Sequence, residues 1–183
     1  MTNKTLSSKL AGIRLVATDV DGTVTDGVLY YDSAGNVIKG FFSADGLGLE
    51  LLRRAGIIRG FITGRVDGAT DARARYLKAD FLLTGIGDKA VAIRKLSGEY
   101  DIPIADILFI GDDLNDYTAF EAAGVSVAVE NAAMEIKAVA DYVTRAHGGR
   151  GAIREVVDMI LRAKGIDPVA LWKTDKDTPV GMP

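Results

Sequence analysis

Four short apolar runs in this chain each stop at a polar segment, and that repeated arrangement narrows the fold more than any other feature. Ile13–Ala17 leads into Asp19-Val20-Asp21-Gly22-Thr23, and Ile57–Ile62 into Thr63-Gly64-Arg65. Phe81–Leu83 is followed by Gly87-Asp88-Lys89, and Ile107–Ile110 by Gly111-Asp112-Asp113-Leu114-Asn115-Asp116. Segments with helical spacing separate the runs, and strand alternating with helix specifies an α/β fold with a parallel sheet covered by helices on both faces. In such a sheet the carboxyl ends of the strands line one crevice, where ligands bind. Several carboxylates, a hydroxyl and an ammonium from distant parts of the chain therefore meet there. Crowded carboxylates repel unless a cation neutralises them, and hard oxygen ligands suit Mg²⁺. The pattern points to phosphate chemistry.

The remaining elements follow from periodicity and turn residues. Leu15–Asp19 is expected as a buried central strand. Gly27–Phe42 is expected as a hairpin turning at Asp32-Ser33-Ala34-Gly35-Asn36. Leu47, Leu51 and Leu52 recur at helical spacing before a stop at Gly56. Helices are predicted over Asp67–Leu77, Asp88–Glu99, Asn115–Ala123, Ala132–Val139 and Gly151–Arg162, and further strands over Ala79–Leu83, Val125–Val129 and Asp141–Val143. Residues 1–165 read as one domain. Residues 166–183 read as a C-terminal tail that holds Pro168, Pro179 and Pro183, loses helical pattern after about Trp172, and is expected to fray.

Composition excludes several classes. A chain of 183 residues with 48% hydrophobic content can bury a proper core. A net charge of −3 offers no broad basic surface, so nucleic acid is not an expected partner. With no cysteine there is neither a disulfide nor a thiolate metal site. Neither a signal-peptide core nor an apolar run of membrane length is visible, and the expectation is a cytoplasmic protein without a membrane partner.

The four motifs, in this order, resemble the haloacid dehalogenase superfamily of phosphohydrolases, whose Rossmann-like fold is the one expected here. The match runs from about Ile13 to Glu155 and extends to Tyr142-Val143-Thr144-Arg145 and Gly148-Gly149-Arg150-Gly151. With its short hairpin in place of a cap domain, the chain looks like the subgroup containing the 3-deoxy-D-manno-octulosonate 8-phosphate phosphatases. The resemblance implies that Asp19 is a nucleophile forming an aspartyl-phosphate. Asp21 faces the same way two residues on and can serve as acid and then base. Ion-pump relatives carry Thr at that second position, so Asp21 implies a hydrolase. Mg²⁺ would be held by Asp19, Asp112 and the backbone carbonyl of Asp21, with Asp113 and Asp116 behind them and Asp116 orienting Lys89. Thr63 and Gly64 would donate to phosphate oxygens, and Lys89 would compensate the charge of the transferring group. An EF-hand is excluded by the ligand spacing, and Gly87-Asp88-Lys89-Ala90 lacks the glycine spacing and Ser/Thr of a Walker loop.

For the substrate, a small phosphorylated sugar acid, the resemblance points to Asp45, Gly46, Gly64, Arg65, Arg73, Lys89 and Arg150. The octulosonate ester is expected, which would place the protein in lipopolysaccharide precursor synthesis. Ala44 and Glu50 stand where that subgroup typically carries arginines. Phosphatases of nine-carbon keto-acid 9-phosphates also lack the first of these, but typically place Glu where this chain has Arg65. The alternatives are therefore that nine-carbon specificity, a broad-specificity phosphatase, and, from another class, a non-catalytic oligomerising domain. Minimal-cap relatives borrow cover from neighbouring subunits, so a homotetramer is expected, with Tyr30, Tyr31, Val37 and Phe41 either at its interface or packed on their own domain. In such relatives the tail of one subunit, and the turn holding Arg150, can reach a neighbour's site. His147, the only histidine, reads as a partly exposed side chain.

Overall fold

β1 (Leu15–Thr18) is buried at every position, as a strand must be when it has neighbours along both edges and helices on both faces. The computed structural model describes residues 3–174. Around β1 run β4 (Ile58–Ile62), β5 (Phe81–Leu83), β6 (Ile107–Gly111), β7 (Val125–Ala128) and β8 (Tyr142–Val143). They form a six-stranded parallel sheet in the order β5-β4-β1-β6-β7-β8. The chain builds outward from β1 to β5, then returns and builds the other way from β6. The order reverses between β1 and β6, the switch point where crevices open in such sheets. Thr18 pairs with Phe61 on one side and Ile110 on the other, which brings the motifs after β1, β4 and β6 level with one another.

Right-handed crossovers place helices on opposite faces when the sheet grows in opposite directions. One layer is α1 (Asn3–Gly12), α2 (Ser43–Arg54) and α7 (Ala152–Ala163), in which α7 packs on both of the others. α7 forms a helix because Ile153, Val156, Val157, Ile160 and Leu161 recur at helical spacing, and all five are buried. α3 (Gly68–Tyr76) joins β4 to β5. α4 (Lys89–Glu99) and α5 (Tyr117–Ala122) pack together in the other layer, and α6 (Met134–Val139) follows beside α5.

The hairpin pairs β2 (Tyr30–Tyr31) with β3 (Val37–Ile38), and Asp32 closes its turn by accepting from the amides of Ala34 at 2.9 Å and Asn36 at 2.8 Å. Tyr30 and Tyr31 are exposed, whereas Phe41 packs against the core of its own domain and Val37 is half-buried.

Several features depart from the sequence reading. Residues 3–12, which carry no strong pattern, form α1. The expected helix over Asn115–Ala123 is split into a 3-10 turn at Leu114–Asp116 and then α5, because the Asp113 and Asp116 side chains cap that turn. The apolar run of β4 contains a fully buried Arg59, whose guanidinium donates to the Asp80 carboxylate, to Leu77 O at 3.0 Å and to Leu49 O at 3.2 Å. Burial of that charge is tolerated because it is paired and hydrogen-bonded. Within the tail expected to fray, Pro168–Thr174 forms α8, which runs through the point where the pattern fades. It packs on α2, with the Arg54 guanidinium 4.0 Å from the Trp172 ring. The rest of that tail, residues 175–183, lies outside the described residues. Among the described residues no helix is long and apolar enough to cross a membrane.

The glycine-rich turn at residues 148–151 braces the loop after β1. Gly149 N donates to Thr23 O at 3.0 Å, and a Cβ on Gly148 would sit 1.7 Å from Gly22 O. The Gly148→Ala chain should therefore melt about 4–10 °C lower, the scale of overpacking in a chain of this size. Gly98→Ala, on open helix surface, serves as control. An unchanged midpoint for Gly148→Ala would contradict the close packing.

Candidate active site

The loop leaving β1 is held by its own backbone: Val20 O accepts from Val24 N at 2.9 Å and Thr25 N at 3.0 Å, and Asp19 N donates to Ile110 O at 2.9 Å. Gly22 turns it with φ +96°, and a Cβ there would lie 2.1 Å from Asp112 Oδ2. Glycine thus serves both the left-handed backbone and the room for a carboxylate. Thr23 Oγ1 donates to Asp112 Oδ1 at 2.9 Å, joining the loop after β1 to the end of β6. Asp116 Oδ2 accepts from the amides of Asp112 at 2.8 Å and Asp113 at 3.3 Å. Lys89 opens α4, whose N-cap is Asp88.

Lys89 is fully buried and its Nζ donates to both Asp19 Oδ1 and Asp116 Oδ1. Burial works against the ammonium, but Asp19 and Asp116 outweigh it and raise its pKa. Carboxylate oxygens of Asp19, Asp112 and Asp116 all lie within 4.8 Å of one another. Three carboxylates against one ammonium leave two negative charges uncompensated. Burial, then the charge of Asp116, pushes Asp19 up despite Lys89. The same two causes push Asp112 up to about 6. Asp116 is spent on amides and on Lys89, so Asp19 and Asp112 are the carboxylates with capacity for a cation. Hard oxygens and a deficit of two charges fit Mg²⁺.

Asp21 faces a second buried ammonium, which the sequence reading did not single out. Lys39 Nζ lies 2.8 Å from Asp21 Oδ1 and 3.1 Å from Oδ2, and also donates to Asp67 Oδ2 at 2.7 Å and Thr70 Oγ1 at 3.0 Å. Burial would raise Asp67, but Lys39 and the Thr70 amide hold it below the usual carboxylate range. Arg65 Nε approaches Asp21 Oδ2 at 3.4 Å from the exposed side. No local signal marks Lys39, because its partners lie 18, 28 and 31 residues away.

The crevice over these groups holds about 410 Å³ and is lined by Asp19, Asp21, Thr63, Gly64, Arg65, Asp112 and Asp113, with Leu114 and Asn115 at its edge. Thr63 is buried, and its Oγ1 accepts from Arg65 N at 3.1 Å.

Four residues expected at the substrate are placed elsewhere. Both oxygens of Asp45 are taken by the amides of Gly151 at 3.1 Å and Arg154 at 2.8 Å, so this carboxylate caps α7 instead of facing the crevice. Gly46 leaves room for Arg73, whose Nη2 would be 2.5 Å from a Cβ there. Arg73 is tucked between the rings of Phe41 at 5.2 Å and Tyr76 at 5.4 Å, where burial lowers its pKa. Arg150 is exposed and donates to Asp26 Oδ2 at 3.1 Å. Glu50 bears on none of these, since Arg53 and Arg54 bind it on α2 and hold it down to about 2.

Comparison with known proteins gives consistent results. Residues 81–156 match the haloacid dehalogenase-like hydrolase family. The chain is 39% identical over 160 residues to the 3-deoxy-D-manno-octulosonate 8-phosphate phosphatase of Haemophilus influenzae, covering 87% of this chain and 89% of that one. It is 38% identical over 158 residues to the Escherichia coli phosphatase of the same name, covering 86% and 84%. A crystal structure of such a phosphatase from Moraxella catarrhalis, in complex with magnesium, phosphate and KDO, superposes with a TM-score of 0.90 at 38% identity, covering 96% of this chain and all of that one. A cobalt-bound H. influenzae structure gives 0.84 at 38% identity, covering 93% and 96%.

The crowded carboxylates set a pH dependence. A carboxyl whose folded pKa is raised destabilises the metal-free fold as pH climbs past its unfolded value, and the loss is complete above the folded one. For Asp112 that window runs from the ordinary aspartate value of about 4 to about 6. A divalent cation opposes this by binding the ionised form. Saturating Mg²⁺ should therefore raise the melting temperature more at pH 8 than at pH 5, read by thermal scans with and without EDTA. An equal Mg²⁺ shift at both pH values would remove these carboxylates as the cation's ligands.

Proposed function

The chain belongs to the haloacid dehalogenase-like hydrolases, in the family of the 3-deoxy-D-manno-octulosonate 8-phosphate phosphatases, and from its crevice we propose how it cleaves a phosphate monoester. It is a Mg²⁺-dependent phosphomonoesterase working through an aspartyl-phosphate, with 3-deoxy-D-manno-octulosonate 8-phosphate as its substrate. One observation carries this reading: Asp19, at the switch point of the sheet, has one oxygen on a buried ammonium and lies beside Asp112.

Asp19 attacks phosphorus with Oδ2, which takes no hydrogen bond from the described residues. Asp19, Asp112 and the Asp21 carbonyl would hold Mg²⁺, which would offset the repulsion between carboxylate and phosphate. Asp21 protonates the departing alkoxide, then takes a proton from the water that cleaves the aspartyl-phosphate. Lys89 holds Asp19 in line and adds positive charge where the phosphoryl group is transferred. The Thr63 hydroxyl and Gly64 amide donate to phosphate oxygens. Asp113 and Asp116 fix the turn that presents Asp112, and Asp116 holds Lys89.

Arg65 stands at the rim with half its side chain exposed, suited to a bidentate pair with the carboxylate of the sugar acid. It favours the eight-carbon substrate over the nine-carbon keto-acid 9-phosphates, whose phosphatases typically carry Glu there. Gly46 leaves room for Arg73, which packs on Phe41 behind the site, while Arg150 pairs with Asp26 away from the crevice. Residues 1–165 act as one domain. The exposed Tyr30, Tyr31 and Ile38 suit the interface of a homotetramer, in which hairpins cover neighbouring sites. The cytoplasm is the compartment proposed.

The test is phosphate release with Mg²⁺ from the octulosonate ester, a nine-carbon 9-phosphate and common sugar phosphates. The octulosonate ester should lead by at least about tenfold, as expected when a site pairs a substrate carboxylate. Asp19→Asn should lose at least about 10³-fold, the scale of removing a nucleophile. Equal rates across substrates would sink the specificity, and an active Asp19→Asn would sink the mechanism.

Arg65→Ala separates binding from chemistry. The KM for the octulosonate ester should rise about tenfold, with kcat changed less than threefold, if Arg65 binds the sugar acid and not the reacting atoms. An unchanged KM would remove Arg65 from substrate recognition.

A further inference from the structure

The hairpin insert buries the wrong kind of residue for an ordinary anchor. From Asp26 to Gly40 every residue is exposed or half-exposed except Lys39. Val37 and Ile38 are apolar, yet Ile38 points outward while the lysine goes in. Taking an ammonium out of water is costly unless all its donors are met. A lysine has three donors, and here they reach Asp21, Asp67 and Thr70. These acceptors belong to the loop after β1, the N-cap of α3 and the first turn of α3. An aliphatic side chain could have anchored the hairpin without that cost. What the ammonium adds is a fixed partner for Asp21.

On the reading of Asp21 as acid and base, we propose that Lys39 is a positioning residue that holds the Asp21 carboxylate at the crevice edge and couples its orientation to the seating of the hairpin. The geometry supports both halves. Lys39 donates to Asp21 Oδ2 at 3.1 Å and its charge lies 2.8 Å from Oδ1, a buried oxygen that accepts no hydrogen bond from the described residues, while the carboxylate lines the crevice beside the exposed Arg65. It sits directly after β3, so a shift of the hairpin shifts the ammonium. Asp67, which caps α3 by accepting from Thr70 N at 2.8 Å, fixes the other end of the network to a helix that the hairpin itself touches.

A double-mutant cycle over Lys39→Met and Asp21→Asn tests this, measured as kcat and KM on the octulosonate ester. Lys39→Met should lower kcat about 10–100-fold, part of the range of acid–base catalysis, with KM within about threefold. The double variant should be no slower than Asp21→Asn alone, because the two residues act as one unit. Losses that multiply would overturn the proposal and leave Lys39 a structural anchor. If Lys39→Met fails to fold, Thr70→Val removes one acceptor at the far side of the ammonium. It should lower kcat by about threefold, and only where Asp21 is intact. No effect, or an equal loss in Asp21→Asn, would overturn the proposal as well. An active Asp19→Asn is a separate outcome, since it removes the phosphatase mechanism itself and the inference with it.

Discussion

Lys89 has no exposed surface, and such a buried ammonium persists only where carboxylates surround it. Its partners, Asp19 and Asp116, lie 70 and 27 residues away along the chain. That one charge therefore ties the loop after β1, the start of α4 and the turn after β6 into a single cluster. The cluster is deliberately unbalanced. With Asp112 added, negative charge exceeds positive by two, and burial makes the excess more costly. A fold optimised only for stability would have neutralised it. Carboxylates held above their ordinary pKa in a crevice mark functional sites more often than structural ones.

A second buried ammonium serves the neighbouring carboxylate. Lys39 faces Asp21 as Lys89 faces Asp19, but from the hairpin instead of the start of α4. The two aspartates are two residues apart in the loop after β1, yet each has its own cation from a different side. This separation suits two carboxylates with different tasks, since each can be held in its own place without sharing a partner. Glycines make the arrangement fit: Gly22 clears space for Asp112, and Gly148 lets the turn before α7 press on the same loop.

Local signals in the chain were legible wherever packing follows periodicity. The strands came through because runs such as Ile107–Ile110 are apolar throughout, and α7 because its apolar residues fall on one stripe. The polar motifs were legible because each lies within a few residues of a strand end. Elsewhere the local signal was weak or misleading. Residues 3–12 offer only Leu6 and Leu10 to the core and are still helical, since α1 gains its stability by packing on α7. Asp45 and Arg73 stand near motif segments, but hydrogen bonds to α7 and contacts with Phe41 and Tyr76 turn them away from the crevice. Trp172 stands where the periodicity ends, and its stacking on Arg54 is a contact over 118 residues.

The sequence by itself determined the alternation of strand and helix, the parallel sheet and the identity of the polar groups at the strand ends, because those follow from spacings of two to four residues. Tertiary structure alone decided which charges meet. The pairing of Lys39 with Asp21, the capping of α7 by Asp45 and the excess of negative charge around Lys89 arise between segments far apart in the chain. Their energies depend on burial and on distances of a few ångströms, which no local pattern encodes.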